Sequence, residues 1–374
     1  MKKLTFILLI LVISTVCYAE IRLGALFSTT GPASFLGMPE KQTLEMLVEE
    51  ANSNGGINGE KIELFLYDTR GIDAEARKKF IRLVKKDRVD AVIGPTRSGS
   101  TLAIKELAGR FEMPLISCAS SDRIIEPINP FVFKVAPSDT LAVRKIYSYL
   151  KGKGQKRVAI ITAQNGYGDS GRTALLNEAK KMGINIVADE KFRDNDRDMT
   201  SQLTKIAEAD PDAIICWGVG PAPAIVAKNY KQLQLDATLF MSHGVASKKF
   251  IKLAGSAAEG IILPAGRLLV AEKLPDSNRF KSMLLEYKNA YEKRFDSSVS
   301  TFGGHAYDAF QIFKKAYNNS VEKNIKITEA IENIKGYLGT YGEFNFSQHD
   351  HNGLDMNAFI MLKIQNGDWQ LLNK

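Results

Sequence analysis

Cysteine, histidine and tryptophan are scarce in this chain, at three, four and two of 374 residues. So few cysteines exclude a scaffold stapled by disulfides. Cys17 lies in the first segment, and Cys118 and Cys216 fall at the ends of strands far apart in the sequence. Two buried thiols fit that placement better than a bridge between two separate sheets. The histidines are too dispersed for a metal site; the nearest grouping, His349-Asp350-His351-Asn352-Gly353, reads as a polar turn. A basic stripe interleaved with aromatics is also missing, although the formal net charge is +8. Cations such as Arg77, Lys78, Lys79, Arg82, Lys85 and Lys86 lie beside acids on solvated helix faces, which argues against a nucleic-acid partner.

Long apolar runs are missing too, apart from residues 4–16, which are preceded by Lys2 and Lys3 and followed by Cys17-Tyr18-Ala19. That run is short for a membrane span, and small residues at positions 17 and 19 suit a cleavage site, so residues 1–19 read as a secretory signal peptide. Cleavage would remove two lysines and leave a charge of +8 − 2 = +6. A lipoprotein alternative would use Cys17, but bulky Val16 stands where a small residue is wanted. The whole chain is 45% hydrophobic and 25% charged, an ordinary globular composition, and is long enough for two lobes with separate cores.

From Ile21 onward strands and helices alternate regularly, which predicts parallel sheets covered on both faces. Strands are expected over 21–27, 61–67, 89–93 and 115–117, with Pro39 opening a helix that ends at Gly55-Gly56. A second run has strands over 157–162, 184–189 and 212–217, with helices over 170–181 and 200–207. The runs echo each other: Gly56-Ile57-Asn58 and Gly183-Ile184-Asn185 precede strands, and Asp90-Ala91-Val92-Ile93 is matched by Asp212-Ala213-Ile214-Ile215. Two similar α/β lobes follow from that order of elements. The last third adds a strand over 260–263, helices over 277–294, 302–317 and 328–334, and a hairpin turning on Asn366-Gly367. Accommodating them requires the chain to return to both lobes, and several crossings make a hinge with a cleft.

Two hydroxyl-bearing turns stand directly behind apolar strands: Gly94-Pro95-Thr96-Arg97-Ser98-Gly99-Ser100-Thr101 and Ser117-Cys118-Ala119-Ser120-Ser121. In an open α/β sheet ligands bind beyond the carboxyl ends of the strands, where helix N-termini present unpaired N–H groups. Both turns therefore face one pocket that favours an anionic group such as a carboxylate. Gly166-Tyr167-Gly168-Asp169-Ser170-Gly171 is a literal G-x-G-x-x-G and would suit an exported NAD-dependent oxidoreductase. However, Ala163-Gln164-Asn165 separate the preceding strand from the first glycine, so the tight turn is missing; Asp169 and Ser170 read instead as helix caps. Neither Ser170 nor Ser98 sits in a complete nucleophile elbow, so catalysis is unsupported.

These turns, together with Leu23-Gly24-Ala25-Leu26-Phe27-Ser28-Thr29-Thr30-Gly31-Pro32, resemble the periplasmic leucine/isoleucine/valine-binding proteins, substrate-binding components of ABC importers for hydrophobic amino acids. Gly55-Gly56-Ile57-Asn58-Gly59, Tyr67-Asp68, Ile93-Gly94-Pro95, Tyr167-Gly168, Ala258-Glu259-Gly260 and His305-Ala306-Tyr307-Asp308-Ala309 follow in family order. The resemblance implies the type I periplasmic-binding-protein fold, two Rossmann-like α/β lobes joined by three crossovers around a ligand cleft. Lobe 1 would hold residues 20–137 and 266–340, and lobe 2 residues 138–265 and 341–374. By position Ser98, with Gly99 beside it, matches the carboxylate-binding serine, Ala119 a carbonyl that receives the ammonium, and Ser121 a hydroxyl that touches both. Tyr167 matches a tyrosine from the second lobe and Phe302 an aromatic of the side-chain pocket.

Three positions depart from that pattern: His243 replaces the acid that pairs with the ammonium, and Leu36 and Val219 replace tyrosines. An imidazole cannot supply the missing negative charge. The resemblance implies a monomeric, cofactor-free, non-enzymatic protein that closes on a small carboxylated ligand, a branched-chain or other hydrophobic amino acid, and delivers it to a membrane ABC permease. An organic acid without an ammonium, with His243 as donor, is the alternative ligand, and a sensor subunit for a membrane receptor the alternative role.

Overall fold

The computed structural model describes residues 20–372. The signal-peptide reading of residues 1–19 lies outside the described residues. The first half runs β1 (Glu20–Phe27), α1 (Ser34–Ser53), β2 (Lys61–Asp68), α2 (Asp73–Arg82), β3 (Ala91–Ile93), α3 (Ser98–Arg110), β4 (Leu115–Ser117) and β5 (Val132–Lys134). The second half runs α4 (Asp139–Gly152), β6 (Arg157–Ala163), α5 (Gly166–Met182), β7 (Asn185–Phe192), α6 (Thr200–Glu208), β8 (Ala213–Trp217), α7 (Ala222–Gln232), β9 (Thr238–Met241), α8 (Lys248–Ala254) and β10 (Ile262–Ala265). The chain ends with α9 (Lys281–Phe295), α10 (Thr301–Lys323), α11 (Ile327–Glu332), β11 (Tyr337–Leu338), β12 (Glu343–Phe344), β13 (Ile360–Gln365) and β14 (Asp368–Leu371).

The first sheet is parallel in the order β2-β1-β3-β4-β5. In the second, β7-β6-β8-β9-β10 repeats that order, again all parallel, before the antiparallel strands β13 and β14 extend it. The duplication read from short strings is therefore present in the topology. Alternate residues of a strand enter different cores: Ala213, Ile215 and Trp217 of β8 face one cluster, and Ile214 and Cys216 face another. That is why these strands read as continuous apolar runs rather than as an alternation.

The last third returns to both halves. Helix α9 docks on α1 through Thr43 Oγ1 and Tyr287 OH (2.7 Å) and through Tyr291 OH to Gln42 Oε1 (2.6 Å), while β13 and β14 join the second sheet. Asn366 and Gly367 take positive φ at the hairpin turn, as that dipeptide predicts.

Several expectations need correction. Helix α1 begins at Ser34, with Pro39 inside it, because Ala33 offers no side-chain cap to mark the start. Its first turn can lie against β1 because position 37 is glycine; a Cβ there would stand 2.3 Å from Ser28 O. Helix α5 begins at Gly166 and is capped by Asn165, whose Oδ1 accepts from Tyr167 N (3.0 Å) and Gly168 N (2.9 Å), rather than by Asp169 or Ser170. The glycines of the literal G-x-G-x-x-G are thus helical and serve packing. A Cβ at Gly168 would lie 1.8 Å from Ala163 O, and one at Gly171 would lie 2.1 Å from Trp217 Nε1. The His349–Gly353 segment is more than a polar turn: His351 is buried, stacks on Phe133 at 4.1 Å and sets Nδ1 2.8 Å from Val132 O. Asn352 Nδ2 donates to Lys134 O and Ala136 O (both 3.1 Å), tying the last third to the crossing between β5 and α4. Cys118 and Cys216 are free and buried, as expected.

Gly168→Ala forces a side chain into backbone and is expected to cost at least about 1–3 kcal/mol. Gly152→Ala, in open space at the end of α4, is expected to be neutral or slightly stabilising. Calorimetric melting of both variants checks the contrast.

Candidate functional site

A cavity of about 310 Å³ lies where the carboxyl ends of β3 and β4 face α5 and the turn after β9. Leu36, Ser98, Gly99, Ala119, Tyr167, Val219, His243 and Phe302 all line it. Ser121 stands one layer behind them. Its N–H donates to Ser98 Oγ (3.4 Å), so the two turns are joined as neighbouring strand tips should be. Thr101 Oγ1 and Ser117 Oγ (2.8 Å), and Ala119 N to Ser117 Oγ (3.1 Å), fix the second turn.

Ser98 is the first residue of α3 rather than its cap, and no side chain caps that helix among the described residues. No side chain accepts from the N–H groups of its first turn among the described residues, although the Asp73 carboxylate stands beside that turn and accepts from Ser100 Oγ (2.9 Å); in α5, Asn165 accepts from the N–H groups of Tyr167 and Gly168. The Ser121 hydroxyl is fully buried and has no hydrogen-bond partner among the described residues. An unsatisfied buried hydroxyl beside an uncapped helix end is chemically suited to a ligand oxygen. Across the cleft the two helix N-termini nearly touch: a Cβ at Gly166 would stand 3.2 Å from Gly99 Cα.

Opposite the serines, Gly244 N donates to Tyr167 OH (3.1 Å), which lies 3.5 Å from His243 Nδ1. His243 is packed among Tyr167, Trp217 and Phe359. Burial, helped by His305 and Lys134, pushes its pKa down to about 3, so the imidazole is neutral at physiological pH. His305, three residues after Phe302 on α10, also lines the cavity; burial and Lys134 hold it at about 3, and it stacks on Tyr341 at 5.0 Å. Burial also raises two acids near by. Glu40, whose Oε2 accepts a hydrogen bond from the Thr96 hydroxyl, is raised well above its usual range by burial. Asp308 is raised to about 7 by burial, against the pull of Thr340. An apolar side is formed by Leu36, Phe302 and Val219, with Phe35 meeting Phe302 edge-on at 5.9 Å.

His305, Asn165, Gly166 and Asp73 belong to the lining but were not among the residues expected from sequence. The spacing of His305 from Phe302, one helical turn, is the signal that could have found it. Cys118 lines the cavity with a thiol that burial pushes well up, so it is not a poised nucleophile. No group of three metal-ligating side chains exists among the described residues. At the mouth, Arg97 Nη2 meets Asp194 Oδ2 (3.2 Å), Asn165 Nδ2 donates to Asp194 Oδ1 (2.7 Å) and Arg97 Nη1 donates to Gly71 O (2.9 Å), so the first half is latched to the second.

A family profile described as "Periplasmic binding protein" matches residues 20–368. The Leu/Ile/Val-binding protein BraC3 of Rhizobium johnstonii is 26% identical over 269 residues, 71% of this chain and 72% of that protein. The leucine-, isoleucine-, valine-, threonine- and alanine-binding protein of Pseudomonas aeruginosa is 23% identical over 308 residues, 81% of this chain and 79% of that protein. Among solved structures, an extracellular ligand-binding receptor from Rhodopseudomonas palustris HaA2 superposes with a TM-score of 0.88 at 26% identity, covering 95% of this chain and 100% of that one. The substrate-binding protein LivJ of Streptococcus pneumoniae, solved with isoleucine, superposes with a TM-score of 0.82 at 25% identity, covering 94% and 98%.

The exposed Arg97–Asp194 pair is worth about 0.2–1 kcal/mol by the usual measure of surface ion pairs. Arg97→Ala is accordingly expected to shift the unliganded protein toward a more open form, seen as a larger radius of gyration in small-angle scattering. An unchanged radius would show that the pair does not hold the cleft.

Proposed function

The chain belongs to the periplasmic binding protein family, and from that premise we propose that it is the substrate-binding component of an ABC importer, closing on a small carboxylated solute and delivering it to a membrane permease. The observation that carries this reading is the uncapped N-terminus of α3, flanked by Ser98 and the unpartnered Ser121 hydroxyl and closed over by Tyr167 and His243. A carboxylate placed there would satisfy the free N–H groups, the hydroxyls and the helix dipole together. The cavity of about 310 Å³ is at the small end for ligand sites and suits a single amino acid rather than a peptide. Its apolar side of Leu36, Val219 and Phe302 fits a hydrophobic side chain, in keeping with relatives named for leucine, isoleucine and valine.

On this reading residues 20–137 with 266–340, and 138–265 with 341–374, move as two bodies about the crossings, and the mature protein works as a periplasmic monomer after loss of residues 1–19. Among the described residues no helix is long and apolar enough to cross a membrane. Its role is capture and release rather than catalysis, as for the relatives named as binding proteins.

A second reading of the ligand is favoured by the neutral His243 and His305: an organic acid that lacks the ammonium. Thermal-shift titration with matched panels of amino acids and aromatic or aliphatic acids separates the two.

Ser98→Ala and Ser121→Ala are each expected to weaken every carboxylated ligand by about 1.5–3 kcal/mol, the worth of a hydrogen bond to a charged group. Calorimetric titration of each variant reads that loss as roughly a ten- to hundredfold rise in Kd. The Ser121 variant should keep its melting temperature, because it removes a buried hydroxyl that has no partner in the free protein. Unchanged affinity in both variants would overturn the reading.

A further inference from the structure

Behind His243 stands an acid that nothing in the cavity accounts for. Asp139, the first residue of α4, is fully buried, and neither of its carboxyl oxygens has a hydrogen-bond partner among the described residues. Its Oδ1 lies 3.9 Å from His243 Nε2, which is equally buried and equally unpartnered. Two unsatisfied groups thus face each other just beyond hydrogen-bond distance.

The groups around the pair come from every element packed on it. Lys134 of β5 and Asp122 of the turn after β4 lie 3.7 Å apart, and Lys134 Nζ also donates to Ser120 O (2.6 Å). Burial alone would raise Asp122, but Lys134 and the Thr140 hydroxyl outweigh it and hold the carboxylate below its usual range. The charge of Lys134 is therefore already matched. Ser170 and Ser120 lie near Asp139 without reaching hydrogen-bond geometry; Tyr167 of α5, His305 of α10 and Tyr341 complete the surroundings as neutral groups. Asp139 is left as the one acid of this cluster with no cation of its own.

We propose that Asp139, acting through His243, is the counter-charge for the ammonium of an amino-acid ligand, and so a specificity-determining residue of this site. The inference rests on reading the cavity as a carboxylate site. In the free protein burial, with Asp122 adding its repulsion, pushes Asp139 up to about 8, so its carboxyl keeps the proton at neutral pH. An ammonium arriving beside the imidazole favours the ionised carboxylate. His243 then accepts at Nδ1, joining or replacing the long Tyr167 contact, and donates from Nε2 to Asp139, while the carboxyl proton passes to solvent. The imidazole keeps one proton throughout, and binding releases up to one proton at pH below 8. An acid without the ammonium has nothing to ionise Asp139 and releases none.

The probes are leucine and isocaproate, the same skeleton without the amino group, titrated calorimetrically against the whole mature protein and Asp139→Asn between pH 6 and 9. For the wild type, leucine affinity is expected to rise by up to about tenfold per pH unit below pH 8 and then level, with isocaproate flat. In Asp139→Asn, leucine should lose about tenfold or more at pH 8 together with its slope, while isocaproate stays within about twofold. Should the variant fail to fold, wild-type leucine heats in buffers of different ionisation enthalpy still report the released proton. The raised Asp139 pKa has a second signature without ligand. The folded state holds a proton that the unfolded chain has lost, so stability contributed by this group falls as pH rises from about 4 to about 8, and Asp139→Asn should remove that slope. Wild-type protein that binds isocaproate but not leucine, or leucine with a flat pH profile and no proton release, overturns this inference and leaves the carboxylate site standing. Protein that binds no carboxylate probe overturns the proposed function and this inference with it.

Discussion

Two helix N-termini meet across the cleft, and the rest of the site depends on how their like charges are managed. Helices α3 and α5 each direct the positive end of a macrodipole at the same small space, with Gly99 and Gly166 letting the backbones approach. Unrelieved, that arrangement would resist closure. Asn165 relieves one end by capping α5, and Asp194 adds a negative charge at the mouth, bridging Asn165 and Arg97. The other end, at Ser98, is left without a side-chain cap among the described residues. An anion between the lobes is the natural complement, and the proposed carboxylate supplies it.

Much of this was legible in the chain. Parallel strands buried on both faces announce themselves as apolar runs, and the Asp-Ala-Val-Ile and Asp-Ala-Ile-Ile strings mark equivalent strands, β3 and β8, in two sheets of the same order. The hydroxyl turns behind β3 and β4 could be placed in one pocket because neighbouring parallel strands end on the same side. The segment from 218 to 260 escaped the sequence reading: α7 opens on Pro221 without a side-chain cap, and β9 and α8 are short. Position 165 was passed over because its neighbours Gly166 and Gly168 look like a phosphate loop, when Gly166 allows close approach to Gly99 of α3 and Gly168 is required by contact with the end of β6. Asp139 could not have been singled out from its own neighbourhood, since its meaning comes from His243, which is remote in sequence.

The crossing after β5 concentrates costs that a core would ordinarily avoid. Lys134 is fully buried and its pKa is depressed by that burial, with Asp122 and Asp139 pulling the other way. His351 and Asn352 are buried alongside, spending their polar atoms on the carbonyls of Val132, Lys134 and Ala136. Buried ions paired in this way add little stability over apolar replacements, and here they stand where the chain leaves one sheet for the other. That position also sets Asp139 behind the cavity, so the geometry of the crossing and the charge of the site are one arrangement.

The capped α5 and the uncapped α3 break the equivalence of two halves that share one topology. Duplicated lobes would otherwise offer a solute two interchangeable seats. With only one seat vacant, the proposed ligand would have a fixed polarity in the cleft and a fixed order of events: one half receives it while the molecule is open, and the other arrives as a lid. Capture rate would then belong to the first half and dwell time to the second, so the two could drift apart in sequence under separate demands.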